Sequence, residues 1–189
     1  MDFDKVIRKR ASVRKYSDKK VKYDKIIDAI ESANMAPSPG NLPILKYIIV
    51  EDQEKINIMA DCCQQDFIKD AQVVVVICSD PKKVHLMYDK RADNYIKQHA
   101  GAAIENFLLK ITEMNLASCW IGAFSERTAK DALSIPDEID VEAILPIAYA
   151  HKTDNTKQKL KPNLGNTIYF DKWKNKYQKK VRVTGTHYH

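Results

Sequence analysis

The sequence predicts an α+β or α/β fold in which a single sheet layer is covered by helices. Four segments with the character of β-strands alternate with helical segments, near residues 44–50, 72–78, 117–123 and 141–150. The second of them, Val73-Val74-Val75-Val76-Ile77-Cys78, is apolar at every position. Such a run is expected to be a central strand covered on both faces. A length of 189 residues suits one domain with one core.

Apolar residues that recur at three- and four-residue intervals predict the helices. These cover residues 2–9, a segment that ends before Pro37, a segment after Asp52, about 95–113, and 126–133. The last has Ser125 as its expected N-cap. The long helix contains four small residues at 100–103, which allow close approach of another helix or of a second subunit.

Residues 80–95 are polar, and we interpret them as a mobile connection or a lid. Tyr88, Arg91 and Tyr95 are candidates for a surface that faces a substrate. A solvated loop explains the same composition equally well.

The composition limits the class of partner. The formal net charge is +6 and the isoelectric point is about 9.0, which suits either nucleic acids or anionic cofactors. No zinc-ligand spacing or nucleic-acid fold signature accompanies the charge, so we expect no nucleic-acid partner. No apolar run approaches the roughly 20 residues of a membrane helix, and no signal peptide is recognisable. The expected location is therefore the cytoplasm, without a membrane partner.

Common catalytic motifs are missing. The five glycines form neither G-x-G-x-x-G nor a P-loop, and there is no paired-histidine metal motif, so no metal site is predicted. The four cysteines have no disulfide or C-x-x-C spacing and are expected to be reduced and buried. His99 lies on the long helix, where a packing or hydrogen-bonding role is favoured over catalysis. Without an acid–base cluster, any chemistry must come from a cofactor.

Arg10-Ala11-Ser12-Val13-Arg14 is the most informative stretch. In an extended segment, side chains two positions apart share a face, so Arg10, Ser12 and Arg14 would be aligned. Two guanidinium groups around a hydroxyl suit an anion with several acceptor oxygens, above all a phosphate. A solvated basic turn remains the alternative, because other lysines and arginines crowd this region.

Residues 36–43 contain three prolines, one glycine and the polar side chains of Ser38 and Asn41. A turn this rigid can hold polar groups against a flat ligand. It can equally be a simple connection between a helix and a strand.

Taken together, the chain resembles the nitroreductase family of flavin-mononucleotide-dependent enzymes. Four blocks carry the resemblance in the same order as in the family. They are Arg10-x-Ser12-x-Arg14, residues 36–41, residues 100–122, and Lys159-x-Lys161-Pro162. The resemblance extends over nearly the whole chain.

The resemblance implies an α+β fold with a central mixed sheet flanked by helices. It also implies that residues 1–189 form one FMN-binding domain and an intertwined homodimer. Residues from about 152 to 189 would form a C-terminal arm that packs on the partner subunit, and two FMN molecules would lie in the interface.

The resemblance also assigns residues to the cofactor. Arg10, Ser12 and Arg14 would hold the phosphate, the ribityl chain and the pyrimidine end of FMN, and Lys159 and Lys161 would complete the phosphate site. Lysine at 161 replaces the usual arginine and so loses a bidentate fork while keeping the charge.

Two further groups would complete the flavin site. Pro37, Ser38 and Asn41 would contact the flavin from the other subunit. Ile121 and Gly122 would place backbone N–H groups near the reactive flavin N5. No side chain is predicted to be catalytic, since the chemistry would take place at N5.

The implied activity is that of an FMN-dependent oxidoreductase. A hydride would pass from NADH or NADPH through flavin N5 to an electron-poor small molecule, such as a nitroaromatic, a quinone or an enone, in a ping-pong cycle. Flavin fragmentation or reductive dehalogenation, a flavin-binding protein without turnover, and a basic nucleic-acid module are the alternatives.

Overall fold

The computed structural model describes residues 2–156 and 162–176. Within these ranges the chain divides into two compact units, one inside Met1–Lys157 and one inside Gln158–His189. The first unit contains the sheet and six helices, and the described part of the second contains one short helix. None of the helices in the described ranges is long and apolar enough to cross a membrane.

The helices agree with the apolar periodicity over most of the chain. They are α1 Phe3–Lys9, α2 Tyr23–Asn34, α3 Gln53–Cys63, α4 Lys82–Tyr88, α5 Ala92–Glu113, α6 Glu126–Leu133 and α7 Leu164–Thr167. The prediction for α6 is confirmed to the residue, and the Ser125 hydroxyl accepts a hydrogen bond from the N–H of Thr128 as an N-cap.

The interpretation of residues 80–95 as a polar connection is wrong. They contain α4, a 3₁₀ turn over Asp89–Arg91 and the start of α5. Val84 is fully buried on α4, whereas Leu86 and Met87 on the same helix are exposed. The helix has neither an N-cap side-chain hydrogen bond from its cap residue nor an acidic first turn, so the sequence carries few local signals for it.

The sheet has the order β1-β5-β3-β2, and β4 also pairs with β5. Its strands are β1 Tyr16–Ser17, β2 Leu45–Val50, β3 Val73–Ser79, β4 Ala117–Ser118 and β5 Asp140–Ala150. The predicted strand over 117–123 is therefore shortened to two residues, followed by one bridge between Ile121 and Ile144. The tiny strand β1 was not predicted.

The expected mixed sheet is in fact nearly all antiparallel. Each of the four strand pairings is antiparallel, and the parallel contact in the described residues is a single bridge between Ser12 and Ser118. The connection from β2 to β3 passes through α3 and a 3₁₀ segment at Asp66–Asp70. The connection leaves β2 and enters β3 at the same end of the two strands, as antiparallel neighbours require.

Every residue of β3 is buried, which confirms the prediction of a central strand covered on both faces. Val73, Val75 and Ile77 pack in one core cluster with α2 and α5, whereas the alternate residues pack in a second cluster with α3 and α6. Because side chains alternate across a strand, helices on both sides explain an uninterrupted apolar run in an antiparallel sheet.

Candidate functional site

The segment from Arg10 to Arg14 lies between α1 and β1 and runs along β4. Val13 donates its N–H to the carbonyl of Ser118 at 3.0 Å, and Ser12 forms a parallel bridge with Ser118. At its start, α1 ends with the N–H of Arg10 bonded to the carbonyl of Val6. The backbone of the basic stretch is thus held by a strand rather than free in solvent.

All three predicted side chains influence the thiol of Cys119. Burial raises the pKa of this thiol, while the charge of Arg14, a hydrogen bond with Ser12 and the charge of Arg10 act in the opposite direction. Both guanidinium groups and the hydroxyl therefore lie within electrostatic reach of one atom.

The two arginines have different surroundings. Arg10 is only 8% exposed, and its Nε lies 3.3 Å from Oε1 of Glu105 on α5. Arg14 is exposed, and its guanidinium carbon lies 6.0 Å from the centre of the Phe67 ring. A single carboxylate contact leaves Arg10 with further N–H donors, because a guanidinium has five.

A small cavity of about 170 Å³ adjoins Arg10. Lys9 also lines it and donates from Nζ to Oδ1 of Asn115 at 2.6 Å. The hydroxyl of Ser118, another lining residue, is buried and has no hydrogen-bond partner in the described part of the chain. Two cations beside an unsatisfied hydroxyl suit the oxygens of a phosphate.

Ile121 and Gly122 differ in the use of their backbone. Ile121 both donates to and accepts from Ile144 at 3.1 Å, so its N–H is already engaged in the sheet. Gly122 is exposed, and among the described residues its N–H has no acceptor. A Cβ at this position would meet nothing within 4 Å. Of the two predicted amide donors, Gly122 is the one available to a ligand.

The turn that carries Pro37, Ser38 and Asn41 is fixed against α4. Gly40 has φ +58°, and a Cβ there would lie 2.7 Å from the sulfur of Met87. Glycine is favoured by this left-handed backbone, and the absence of a Cβ lets the Met87 side chain pack against the turn.

His99 is the residue whose environment the sequence did not reveal. It lines two cavities, of about 350 and 680 Å³, and Ser38 lines both with it. Its Nδ1 is buried without a hydrogen-bond partner in the described residues, and burial lowers the pKa of the imidazole. The available signal was a polar residue on the largely apolar buried face of α5, which also contains Thr112.

The two groups of predicted residues adjoin different turns of α5. Glu105 beside Arg10 and His99 beside Ser38 are six residues apart on α5, which is about 9 Å along the helix axis. The cavity beside Arg10 and the two cavities beside Ser38 share no lining residue. The remaining predicted contacts, Lys159 and Lys161, lie outside the described residues.

Other cofactors find little support in the described ranges. No group of three or more His, Cys, Asp or Glu side chains there could hold a metal ion. All four cysteines are free and buried, as the sequence predicted. Cys62 and Cys63 lie at the end of α3 with their sulfurs 3.9 Å apart.

The family of the chain follows from direct comparison. The model of the nitroreductase family matches residues 7–62 and 53–149. This is well over half of the sequence, and the chain belongs to the nitroreductase family.

Individual relatives agree with this result. A protein of Archaeoglobus fulgidus, named for NADH dehydrogenase and NAD(P)H nitroreductase activity, is 29% identical over 150 residues, covering 77% of this chain and 83% of the relative. A nitroreductase family protein from Clostridium novyi NT is 26% identical with a TM-score of 0.75, covering 93% of this chain and 96% of the other. One from Clostridium difficile 630 is 25% identical with a TM-score of 0.79, covering 92% and 100%.

Proposed function

We propose that this protein is a homodimeric, FMN-dependent oxidoreductase that uses NADH or NADPH. When bound, FMN supplies the redox chemistry, in which a hydride passes from the nicotinamide through flavin N5 to an electron-poor nitroaromatic, quinone or enone in a ping-pong cycle. The observation that carries the proposal is that the segment with Arg10, Ser12 and Arg14 is held along β4 by Ser118, four residues before the exposed and unpartnered N–H of Gly122.

The first group of residues binds the anionic part of the cofactor. Arg10 and the cavity beside it offer cationic donors for phosphate oxygens, and Ser12 adds a hydroxyl. Arg14 is the more exposed cation and can neutralise negative charge that develops on the pyrimidine edge of the ring during reduction. Lys159 and Lys161 complete the phosphate site in this proposal.

Gly122 orients the flavin. Its exposed N–H is free to donate to N5, and the open space around it leaves room for the edge of a ring. A backbone donor fixes the ring in place without acting as a proton relay.

The second subunit provides the opposite wall. Pro37 and Ser38 line a cavity that Arg10 does not line. In this proposal the flavin is contacted by Arg10 and its neighbours from one chain and by Pro37, Ser38 and Asn41 from the other. In this proposal the C-terminal residues from about 152 onward pack on the partner, and a two-fold dimer contains two equivalent sites.

The proposal is tested with the purified protein loaded with FMN. We expect NADH or NADPH to bleach the flavin absorbance under anaerobic conditions, and a quinone to restore it. The variant Arg14→Glu should bind FMN more weakly, because it reverses a charge near the anionic cofactor. Lys15→Glu, with the same charge change one position along, is the matched control. Protein that does not retain or bind FMN, or bound flavin that neither nicotinamide reduces, would contradict the proposal.

A further inference from the structure

The cavity between the Pro37–Pro39 turn and the helices α4 and α5 has the character of a binding site for a flat molecule. Its volume is about 350 Å³, and its walls include two prolines and Ala102. Tyr88 and Tyr95 also line it and meet edge to face, with ring centres 5.0 Å apart and an angle of 85°. Aromatic and apolar walls with few polar groups are typical of sites for small conjugated molecules.

His99 is the buried polar side chain among the residues that line this cavity. The residue is 6% exposed, and its Nδ1 is inaccessible and lacks a partner within the described chain. No charged group contributes to the lowering of its pKa, which has burial as its cause. The imidazole is therefore neutral near pH 7 and has one N–H donor and one acceptor nitrogen.

The position of the proton follows from the burial of Nδ1. A buried N–H without an acceptor is more costly and rarer than a buried acceptor without a donor. In the tautomer with the proton on Nε2, the buried Nδ1 is an acceptor without a donor, which is the less costly of the two arrangements. His99 then offers to the cavity a donor and not an acceptor.

We propose that His99 is a specificity-determining residue, which donates Nε2–H to a carbonyl or nitro oxygen of a planar acceptor held against Tyr88 and Tyr95. This inference rests on the proposed function, since it assigns the electron acceptor to this cavity. A hydrogen bond to that oxygen withdraws electron density from the conjugated ring and stabilises the negative charge that hydride transfer brings to it. Acceptors without such an oxygen gain nothing from His99.

The test compares two acceptors in the FMN-loaded dimer. In a ping-pong cycle, kcat/KM for the acceptor reports on the oxidative half-reaction alone. para-Benzoquinone has the carbonyl oxygen, whereas ferricyanide accepts electrons without entering an aromatic pocket. His99→Phe keeps a ring but removes the donor, and His99→Gln restores a donor. His85→Phe, an exposed histidine on α4 outside the cavity, is the matched control.

We expect His99→Phe to lower kcat/KM for the quinone by about tenfold, the effect of one lost hydrogen bond. Ferricyanide reduction should change less than twofold, His99→Gln should recover part of the quinone activity, and His85→Phe should match the wild type. An equal loss with both acceptors, or an unchanged quinone rate, would overturn the role of His99 while leaving the proposed function standing. A wild-type protein that reduces neither acceptor would overturn both.

Discussion

At the scale of single residues, Ile121 and Gly122 use their backbone N–H groups differently. That of Ile121 is bonded within the sheet, whereas that of Gly122 is available to a ligand. The neighbouring Ile121 uses its N–H and carbonyl to join Ile144, which ends the pairing of this segment with the sheet. Gly122 is the first residue after that contact whose N–H has no acceptor among the described residues. Its φ lies outside the left-handed region, so another residue can replace it without backbone strain.

This difference predicts the effects of two substitutions at one position. Gly122→Pro removes the N–H and should slow reduction of bound flavin by NADH or NADPH by about tenfold, the value of one hydrogen bond. Gly122→Ala keeps the N–H and its Cβ meets open space, so a smaller loss is expected. Anaerobic stopped-flow reduction measures both rates. Equal rates for the two variants would show that the N–H has no role.

His99 predicts a dependence of stability on pH. Burial lowers its pKa in the folded protein below the ordinary value of 6.5, so the unfolded chain binds a proton first as the pH falls. The stability due to neutral His99 is complete above pH 6.5 and is lost as the pH falls towards the folded-state pKa. Urea unfolding between pH 7.5 and 5.5 should show a smaller loss of stability for His99→Gln than for the wild type.

The range from pH 7.5 to 8.5 is the internal control for that measurement. At these pH values His99 is neutral in both the folded and the unfolded protein. Wild type and His99→Gln should then change in parallel. A wild-type slope below pH 6.5 that the substitution leaves unaltered would contradict burial of a neutral imidazole.

The sequence identified candidate residues of the site but not their contacts in the fold. Arg10, Ser12 and Arg14 are candidates because of their spacing, since alternation in an extended segment is a local property. The pairing of Arg10 with Glu105 joins residues 95 positions apart and arises only from the packing of α1 beside α5. The dry surroundings of His99 are likewise a property of the folded chain.

At the scale of elements, the contact between the turn at Gly40 and helix α4 positions one wall of the site. The residue combines a left-handed backbone with a Cβ position 2.7 Å from the sulfur of Met87 and 3.1 Å from the hydroxyl of Tyr88. Displacing α4 would also displace Tyr88, which lines the cavity with His99. The turn and the helix therefore form one structural unit.

Two glycine-to-alanine substitutions should therefore have opposite effects. Gly40→Ala should lower the free energy of unfolding by about 1–2 kcal/mol, because its left-handed backbone is strained by a Cβ, while the exposed Met87 side chain can shift. Gly101→Ala lies within α5, where its Cβ would come no closer than 3.9 Å to Trp120, and should raise stability by about 0.5–1 kcal/mol. Denaturant titration of both variants measures the difference. A stable Gly40→Ala variant would contradict the left-handed backbone of the turn.

The helices and strands with strong local sequence signals were predicted more accurately than those without them. Helix α6 has a serine cap, an acidic first turn and an apolar face within eight residues, and its bounds were predicted correctly. Helix α4 has neither a side-chain hydrogen bond from its N-cap residue nor an acidic first turn, and it was missed. The strand near 117–123 was overextended because its apolar residues are buried by the core rather than paired in the sheet.

At the scale of the whole molecule, the two groups of binding residues lie on different parts of one chain. Arg10 and its neighbours adjoin β4, whereas Ser38 and its neighbours adjoin α4 and the first turns of α5. If one flavin contacts both groups, each site must combine the first group of one subunit with the second group of its partner. Cofactor binding would then stabilise the dimer by mass action.

Subunit mixing tests this arrangement most directly. Arg14→Glu inactivates the first group of residues, and Ser38→Tyr blocks the second, so each homodimer should be inactive. A heterodimer of the two variants contains one site in which both groups are intact. Co-refolding equal amounts should therefore restore NAD(P)H-dependent quinone reduction at about a quarter of the sites, as random pairing of subunits requires. If the mixture stays as inactive as the separate variants, each site lies within one chain and the shared site is refuted.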